Sequence, residues 1–353
     1  MTTRAALSEI LSFDASVPTK TFVIEAHPDG DATQLLRDFS EPGCLEETED
    51  AYLFRLWVPD AQNCFWVDQL NERFWSFHTN MPVALANRYL KLHVGTRRDL
   101  DWVWLPSDHL RTVWPDTRTR GVRSKFEGSQ LLGGSGAFDD VRLKLNGRSA
   151  DEFLDYLYKN PHIRAAVPFD GVEVALDDPE LGQVNEAVDR MGRFAVSGNS
   201  LEFHIQFVET VVSRYRRLVE LCEQKAIGWT SFDREVAESG GQMAGAPIVI
   251  RFSRVIQDIE QFVDNLFSSR EPFRLWGVPR MQDGIVEVEA VDLHVGQCLR
   301  IDVGEQWMRL YLTKDSCGNS VARLASNLQH RFDAALTFAD DEIQAALKGI
   351  TPA

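Results

Sequence analysis

FRLWVP at residues 54–59 and FRLWGVP at residues 273–279 differ by one inserted glycine. Whether they are one module written twice decides how the chain is organised. Around the second copy, IVIRFSRVIQDIEQFVDNLFSSREPFRLWGVP (residues 248–279) opens on a β-branched run. Ser253 is then placed to cap a helix whose Val255, Ile256, Ile259, Phe262, Val263, Leu266 and Phe267 share one face. Around the first copy, TFVIEAHPDGDATQLLRDFS (residues 21–40) gives a strand, a Pro-Asp-Gly turn and a short helix that Asp31 would cap, with Leu35, Leu36 and Phe39 inward. A second shared word, LHVG, follows at residues 92–95 and 293–296. Two matches in one order, one containing tryptophan and both set in a strand and helix context, read as an internal duplication.

Beyond the second FRLW, IVEVEAVDLHVGQCLRIDVGEQWMRLYL alternates apolar and polar residues, as a meander of half-buried strands does. Between the copies, VRLKLNGRSADEFLDYLYKN predicts a strand, an Asn146-Gly147 turn and a helix opened by a Ser149/Glu152 capping box, with GVEVALDD as the next strand. Residues 201–225 carry Leu201, Ile205, Val208, Val212, Tyr215, Val219 and Cys222 at alternating steps of four and three, the pattern of a long helix packed on its own sheet. The expected fold is α+β: two related, duplicated strand-helix-meander modules flanking a middle βαβ plus long-helix segment. Glycine-rich breaks at GSQLLGGSGAF and ESGGQMAGAP set the boundaries at residues 1–135, 136–240 and 241–353.

A chain of 353 residues exceeds the usual reach of one hydrophobic core. Its 44% hydrophobic and 25% charged content is that of a folded soluble protein. No apolar run is long enough to span a bilayer, and MTTRAALSEILSFDA has no secretory core, so a cytoplasmic protein without membrane contact is expected. Cys44, Cys64, Cys222, Cys298 and Cys317 are odd in number and lack CxxC spacing, which fits isolated thiols rather than a disulfide framework. Arginine outnumbers lysine 29 to 8, which reflects either recognition of anions by guanidinium groups or a GC-rich, bacterial genome.

AHPDGD (residues 26–31) sets His27, Asp29 and Asp31 in one turn. The segment resembles the AHPDDE signature of the zinc-dependent LmbE-like deacetylases over those six residues; Gly30 and Asp31 replace Asp-Glu, and no later His-x-Asp-His completes the ligand set. The resemblance implies a metal-dependent hydrolase, whereas the residues alone read as a turn followed by a helix cap that binds no metal. Cys317, in KDSCGNS just before a helix from about Val321, is a candidate thiol nucleophile activated by helix dipoles; His330, thirteen residues along, would project from the other end of that helix, while His294 could approach through the fold. Arg323 and His330 also satisfy the Arg-x6-His spacing of HEPN-type ribonucleases. Phosphate loops, dinucleotide fingerprints and HExxH are absent, and GGSGA at residues 133–137 reads as a loop rather than a nucleophile elbow.

Charge gives a further candidate. Residues 88–125 hold nine cations against four acids in a chain of net charge −16. Arg97, Arg98, Arg111, Arg118, Arg120, Arg123 and Lys125 form the candidate anion-binding set, with TRTRGVRSK (residues 117–125) as a loop able to grip phosphates. Nucleic acid, an acidic protein surface and a merely solvated loop all fit that pattern. The function expected from sequence is a non-catalytic interaction subunit that holds an anionic partner and needs no cofactor. The alternative is a hydrolase with a metal site at His27, Asp29 and Asp31 or a thiol site at Cys317.

Overall fold

Strand β1 (Thr19–Ala26) is buried at all eight positions, as a strand covered on both faces must be, and the first half of the molecule is arranged about it. The computed structural model describes residues 3–11, 17–27, 32–39, 44–59, 63–69, 71–114, 117, 119–132, 140–147, 149–231 and 241–349. After helix α1 (Leu7–Ile10) and β1, the chain forms α2 (Ala32–Phe39) and a meander of β2 (Leu45–Glu47), β3 (Leu53–Trp57), β4 (Cys64–Asp68) and β5 (Phe74–Thr79). The last of these returns antiparallel to β1. Helix α3 (Val83–Thr96), β6 (Leu100–Trp102) and α4 (Ser107–Arg111) follow, and β6 pairs with the C-terminal end of β1.

The middle of the chain extends that sheet. It contains β7 (Thr119–Glu127), α5 (Ser129–Leu132), β8 (Asp140–Asn146), α6 (Ala150–Leu157), α7 (Pro161–Arg164), β9 (Gly171–Asp178), β10 (Gly182–Asp189), β11 (Arg193–Gly198) and α8 (Leu201–Gln224). Strand β11 joins the N-terminal half of β1, which gives an eleven-stranded sheet in the order β2-β3-β4-β5-β1-β11-β10-β9-β7-β8, with β6 also on β1. After a ribbon of β12 (Gly228–Ser231) and β13 (Gly241–Ala244) come β14 (Ile248–Arg251), α9 (Ile259–Leu266), β15 (Leu275–Gln282), β16 (Ile285–Asp292), β17 (Cys298–Gly304) and β18 (Trp307–Leu312). The chain closes with α10 (Asn319–Arg331), β19 (Thr337–Phe338) and α11 (Asp341–Leu347), and the second large sheet runs β15-β16-β17-β18-β14-β19. The fold is α+β, with helices and antiparallel sheets mixed. Among the described residues no helix is long and apolar enough to cross a membrane.

Helix α8 packs as its spacing predicts. Ser200 caps it by accepting from the Phe203 amide, and one flank of the helix is buried from Leu201 to Cys222. Its side chains share a single core with both large sheets. Other expectations are corrected. Ser253 does not cap a helix; its hydroxyl donates to Asp333, and the helix starts at Ile259 behind the Asp258 cap. Ser149 makes no capping hydrogen bond. TRTRGVRSK is not a loop: residues 119–125 belong to β7, which is paired on both sides. Of the five thiols, only Cys222 and Cys317 are buried.

The duplication read from the repeated words is not confirmed. The first LHVG lies in α3 and the second in the turn after β16. The first FRLW lies within β3, whereas the second straddles a turn and the start of β15, with Arg274 at a left-handed φ of 53°. What the two ends share is an order of elements: strand, helix, four-stranded meander returning to the first strand, helix, short strand beside the first strand, helix. In that order FRLW falls on the second meander strand at one end and on the first at the other.

Candidate active site

Residues 25 and 27 are two apart at the end of β1, and that end of the strand faces the start of α10 from the other half of the chain. Glu25 is fully buried, His27 follows the strand with its side chain 30% exposed, and Cys317 precedes α10 with 7% exposure. Cys317 Sγ lies 3.4 Å from His27 Nε2 and 3.8 Å from Glu25 Oε1, and His27 Nε2 lies 3.5 Å from Glu25 Oε1. Among the described residues these three are the group whose donor atoms converge closely enough to share one ion. His27 and Cys317 line the floor of a cleft of about 1130 Å³, with Glu25 buried behind them; Thr33, Glu72, Arg73, Glu223, Gln297 and Lys314 line it too.

Arg73, just before β5, ties the floor together. Its Nε donates to Glu25 Oε1 at 2.6 Å, its two terminal nitrogens donate to Glu223 on α8 at 3.1 and 2.6 Å, and one of them lies 3.6 Å from Cys317 Sγ. Two fork bonds to one carboxylate fix both orientation and charge. The Gly318 amide donates to Glu223 and the Asn319 amide points at Cys317 Sγ, so the first turn of α10 also serves the cluster. Gly318 is required there: a β-carbon would collide with the Val219 carbonyl of α8.

Burial dominates the electrostatics. It lifts the Glu25 carboxyl to about 7 against the pull of Arg73. Burial and Arg73 lower His27 to about 4. The Cys317 thiol is pushed well above its ordinary range by burial and by Glu25, with Arg73 opposing. Without a further cation, protons therefore settle on the thiol and compete for the carboxylate.

Behind the floor, Arg323 of α10 joins Asp101 of β6 at 2.8 Å and Asp292 of β16 at 2.5 Å. Ser320 donates to the same Asp292 carboxylate, Asn319 donates to Asp101 at 3.2 Å, and the Tyr215 hydroxyl of α8 donates to Asn319 at 2.6 Å. All of these residues are buried apart from Ser320. A buried guanidinium with two carboxylates is held only where both partners are fixed, so this ion triple locks the two halves together within two helical turns of Cys317.

Several sequence candidates sit elsewhere. Asp29, Asp31 and Arg118 lie outside the described residues. His330 is bonded to the Lys125 carbonyl, so it does not partner Cys317, and Arg323 is occupied by its carboxylates. The described basic residues lie after α3 (Arg97, Arg98), in α4 (Arg111) and along β7 (Arg120, Arg123, Lys125). Arg97 is clamped on Asp99 at 2.8 and 2.6 Å, Arg98 is exposed beside Gly296, and Arg111 stacks on Tyr158 at 4.7 Å and reaches Asp155 at 3.4 Å. On β7, Arg120 donates to Asn185, Arg123 lies exposed over Gly171, and Lys125 pairs with Glu127 at 2.6 Å.

Sequence reasoning named His27 and Cys317 separately and missed Glu25, Arg73 and Glu223. Glu25 had a signal, being a carboxylate inside the apolar run TFVIEA, where a charge needs a partner. Arg73 and Glu223 had none, because 150 residues separate them.

Residues 10–346 match the family described as MJECL33-like protein, and the chain belongs to that family. An uncharacterized protein of Methanocaldococcus jannaschii, MJECL33, is 24% identical over 360 positions, covering 89% of this chain and 84% of the relative. No solved structure matches. The bacterial source expected from arginine usage finds no support in this archaeal relative.

Proposed function

We propose that this member of the MJECL33-like family is a hydrolase whose substrate binds in the cleft between its two meander units. The observation that carries the reading is the convergence of a cysteine, a histidine and a buried carboxylate within 3.8 Å at the floor of a large open cleft. Evolution places buried, unevenly shared charges at such cost chiefly where chemistry needs them. The walls share polar and apolar surface about evenly, with Thr33, Glu72, Gln297, Lys314, Asp315 and Ser316 beside Ala26, Ala32, Tyr52, Ala226 and Val295. A wall of that kind offers hydrogen-bonding and charged groups that orient a substrate. Hydrolysis is the simplest reaction the set supports: water gives its oxygen to the electrophilic centre and its proton to the leaving group, with no oxidant or second substrate. The acid partners of Arg97, Arg111 and Lys125 within the chain lend less support to the anion-docking subunit expected from sequence.

The test is turnover of a panel of chromogenic esters, anilides, phosphodiesters and glycosides. At least one class is expected to be hydrolysed, with the rate falling at least about a hundredfold in Cys317→Ala and staying near the parent value in Cys298→Ala, whose thiol is exposed. No hydrolysis of any class, or a Cys317→Ala protein as fast as the parent, would remove the cleft from consideration as an active site.

A further inference from the structure

The geometry points to the Glu25, His27 and Cys317 cluster as a three-ligand site for one zinc-type divalent cation, open to the cleft at its fourth position. The inference builds on the reading of the cleft as an active site, and it concerns a different ligand set from the His27, Asp29, Asp31 turn.

The distances are close to those an ion would impose. Zinc bonds of about 2.3 Å to sulfur and about 2.0–2.2 Å to nitrogen and oxygen, at tetrahedral angles, set neighbouring donor atoms about 3.3–3.6 Å apart. Two of the separations here, 3.4 and 3.5 Å, fall in that range, and the third, 3.8 Å between Cys317 and Glu25, lies just above it. A Cys, His, carboxylate set is a poor match for calcium or magnesium, which take oxygen ligands, and a good one for zinc or cobalt.

Two further observations point the same way. Glu25 Oε2 is buried and accepts no hydrogen bond, so the carboxylate has unused acceptor capacity. The charges are also unbalanced: a Cys317 thiolate, Glu25 and Glu223 bring three negative charges against the single guanidinium of Arg73, and a divalent cation makes the group neutral.

The surroundings of the donors are those of ligands that are held in place. Sγ faces the Asn319 amide and an Arg73 nitrogen, Glu25 Oε1 accepts from Arg73 Nε, and Arg73 is itself fixed by Glu223, which the Gly318 amide orients. Hydrogen bonds to ligand atoms of this kind set their orientation and tune affinity, typically by 10–100-fold when removed. His27 and Cys317 both line the cleft while Glu25 is behind them, which leaves one side of the site facing substrate. Structural zinc sites are closed by a fourth side chain; an open one is the catalytic arrangement, in which the ion acts as a Lewis acid toward water or a substrate oxygen.

The test is titration of chelator-treated protein with Co(II), read by absorbance, followed by competition with Zn(II). The parent is expected to bind one Co(II) per chain, with a thiolate charge-transfer band and intense four-coordinate bands, and to release it to one equivalent of zinc. Cys317→Ser removes the charge-transfer band, and His27→Ala, at a half-exposed position where folding is least at risk, weakens binding at least about tenfold. Cys298→Ser, at an exposed thiol, leaves both unchanged. Less than stoichiometric binding by the parent, or a Cys317→Ser protein with the parent spectrum, overturns the site. The hydrolase reading fails separately: metal-free protein that still turns over a substrate through Cys317 keeps the enzyme and loses the ion, and a bound ion with no turnover of any substrate does the reverse.

Discussion

Glu25 shows what one residue reveals and hides. A carboxylate in TFVIEA contradicts the burial that the rest of the run demands, so the sequence does mark it; its partners, from residues 73 and 317, become visible only when the chain has folded. Buried histidines carry a second residue-scale consequence. His109 is enclosed, bonded through Nε2 to the Ala346 carbonyl, and held down to about 3 by burial and by the Arg214 guanidinium. His78, bonded to Thr21 in a chain that continues through His204 to Glu186, is lowered to about 4 by burial and by His204. In the folded protein these rings stay neutral, while the unfolded chain takes up protons as pH falls below about 6.5. Stability is therefore complete above that pH and is lost as pH drops toward the folded values, at up to about 1.4 kcal/mol per pH unit for each ring. Urea unfolding at pH 7 and pH 5 should show His109→Gln, which keeps an N–H for Ala346, losing about 2 kcal/mol less than the parent over that interval. Equal losses in the two proteins would mean that His109 does not titrate as described.

At the scale of elements, legibility followed the strength of the period. Helix α8 was plain because 24 residues repeat one apolar stripe. The start of α9 was misplaced because Ser253, a good cap in isolation, is taken by Asp333 from a distant loop. Strand β7 reads as a loop from sequence because its closely spaced arginines and lysine mask the period, although Val122, Ser124 and Phe126 alternate inward. LHVG shows the limit of short words: four residues without a strong local preference become helix in α3 and turn after β16, according to what surrounds them.

Strand β7 also carries a physical oddity. In its pairing with β8, Arg123 stands opposite Lys144 and Lys125 opposite Arg142, and Arg123 and Lys144 are both exposed. Like charges directly opposite are unfavourable. Lys144→Glu should therefore raise stability by about 0.2–1 kcal/mol, read as a higher urea midpoint with an unchanged slope. A midpoint at or below that of the parent would show that the two side chains already avoid each other or share a compensating acid.

Across the whole molecule, the repeated element order was legible in outline while the equivalence of residues was not, because the shared letters fall on different strands of the two meanders. The consequence for function lies in how the two units meet. One supplies Glu25, His27 and Arg73, the other supplies Cys317 and the start of α10, and α8 closes the set with Glu223. The Asp101, Arg323, Asp292 triple beside them spans the same junction, so the donors are positioned by the packing of the units and not by either alone. That convergence is tested most directly by anomalous diffraction from zinc-grown crystals, measured on both sides of the zinc absorption edge. One strong peak per chain is expected within about 2.5 Å of Cys317 Sγ, His27 Nε2 and Glu25 Oε1 together. No peak at these three atoms in zinc-saturated crystals, or a peak that leaves Glu25 and Cys317 unligated, would contradict the three-ligand site.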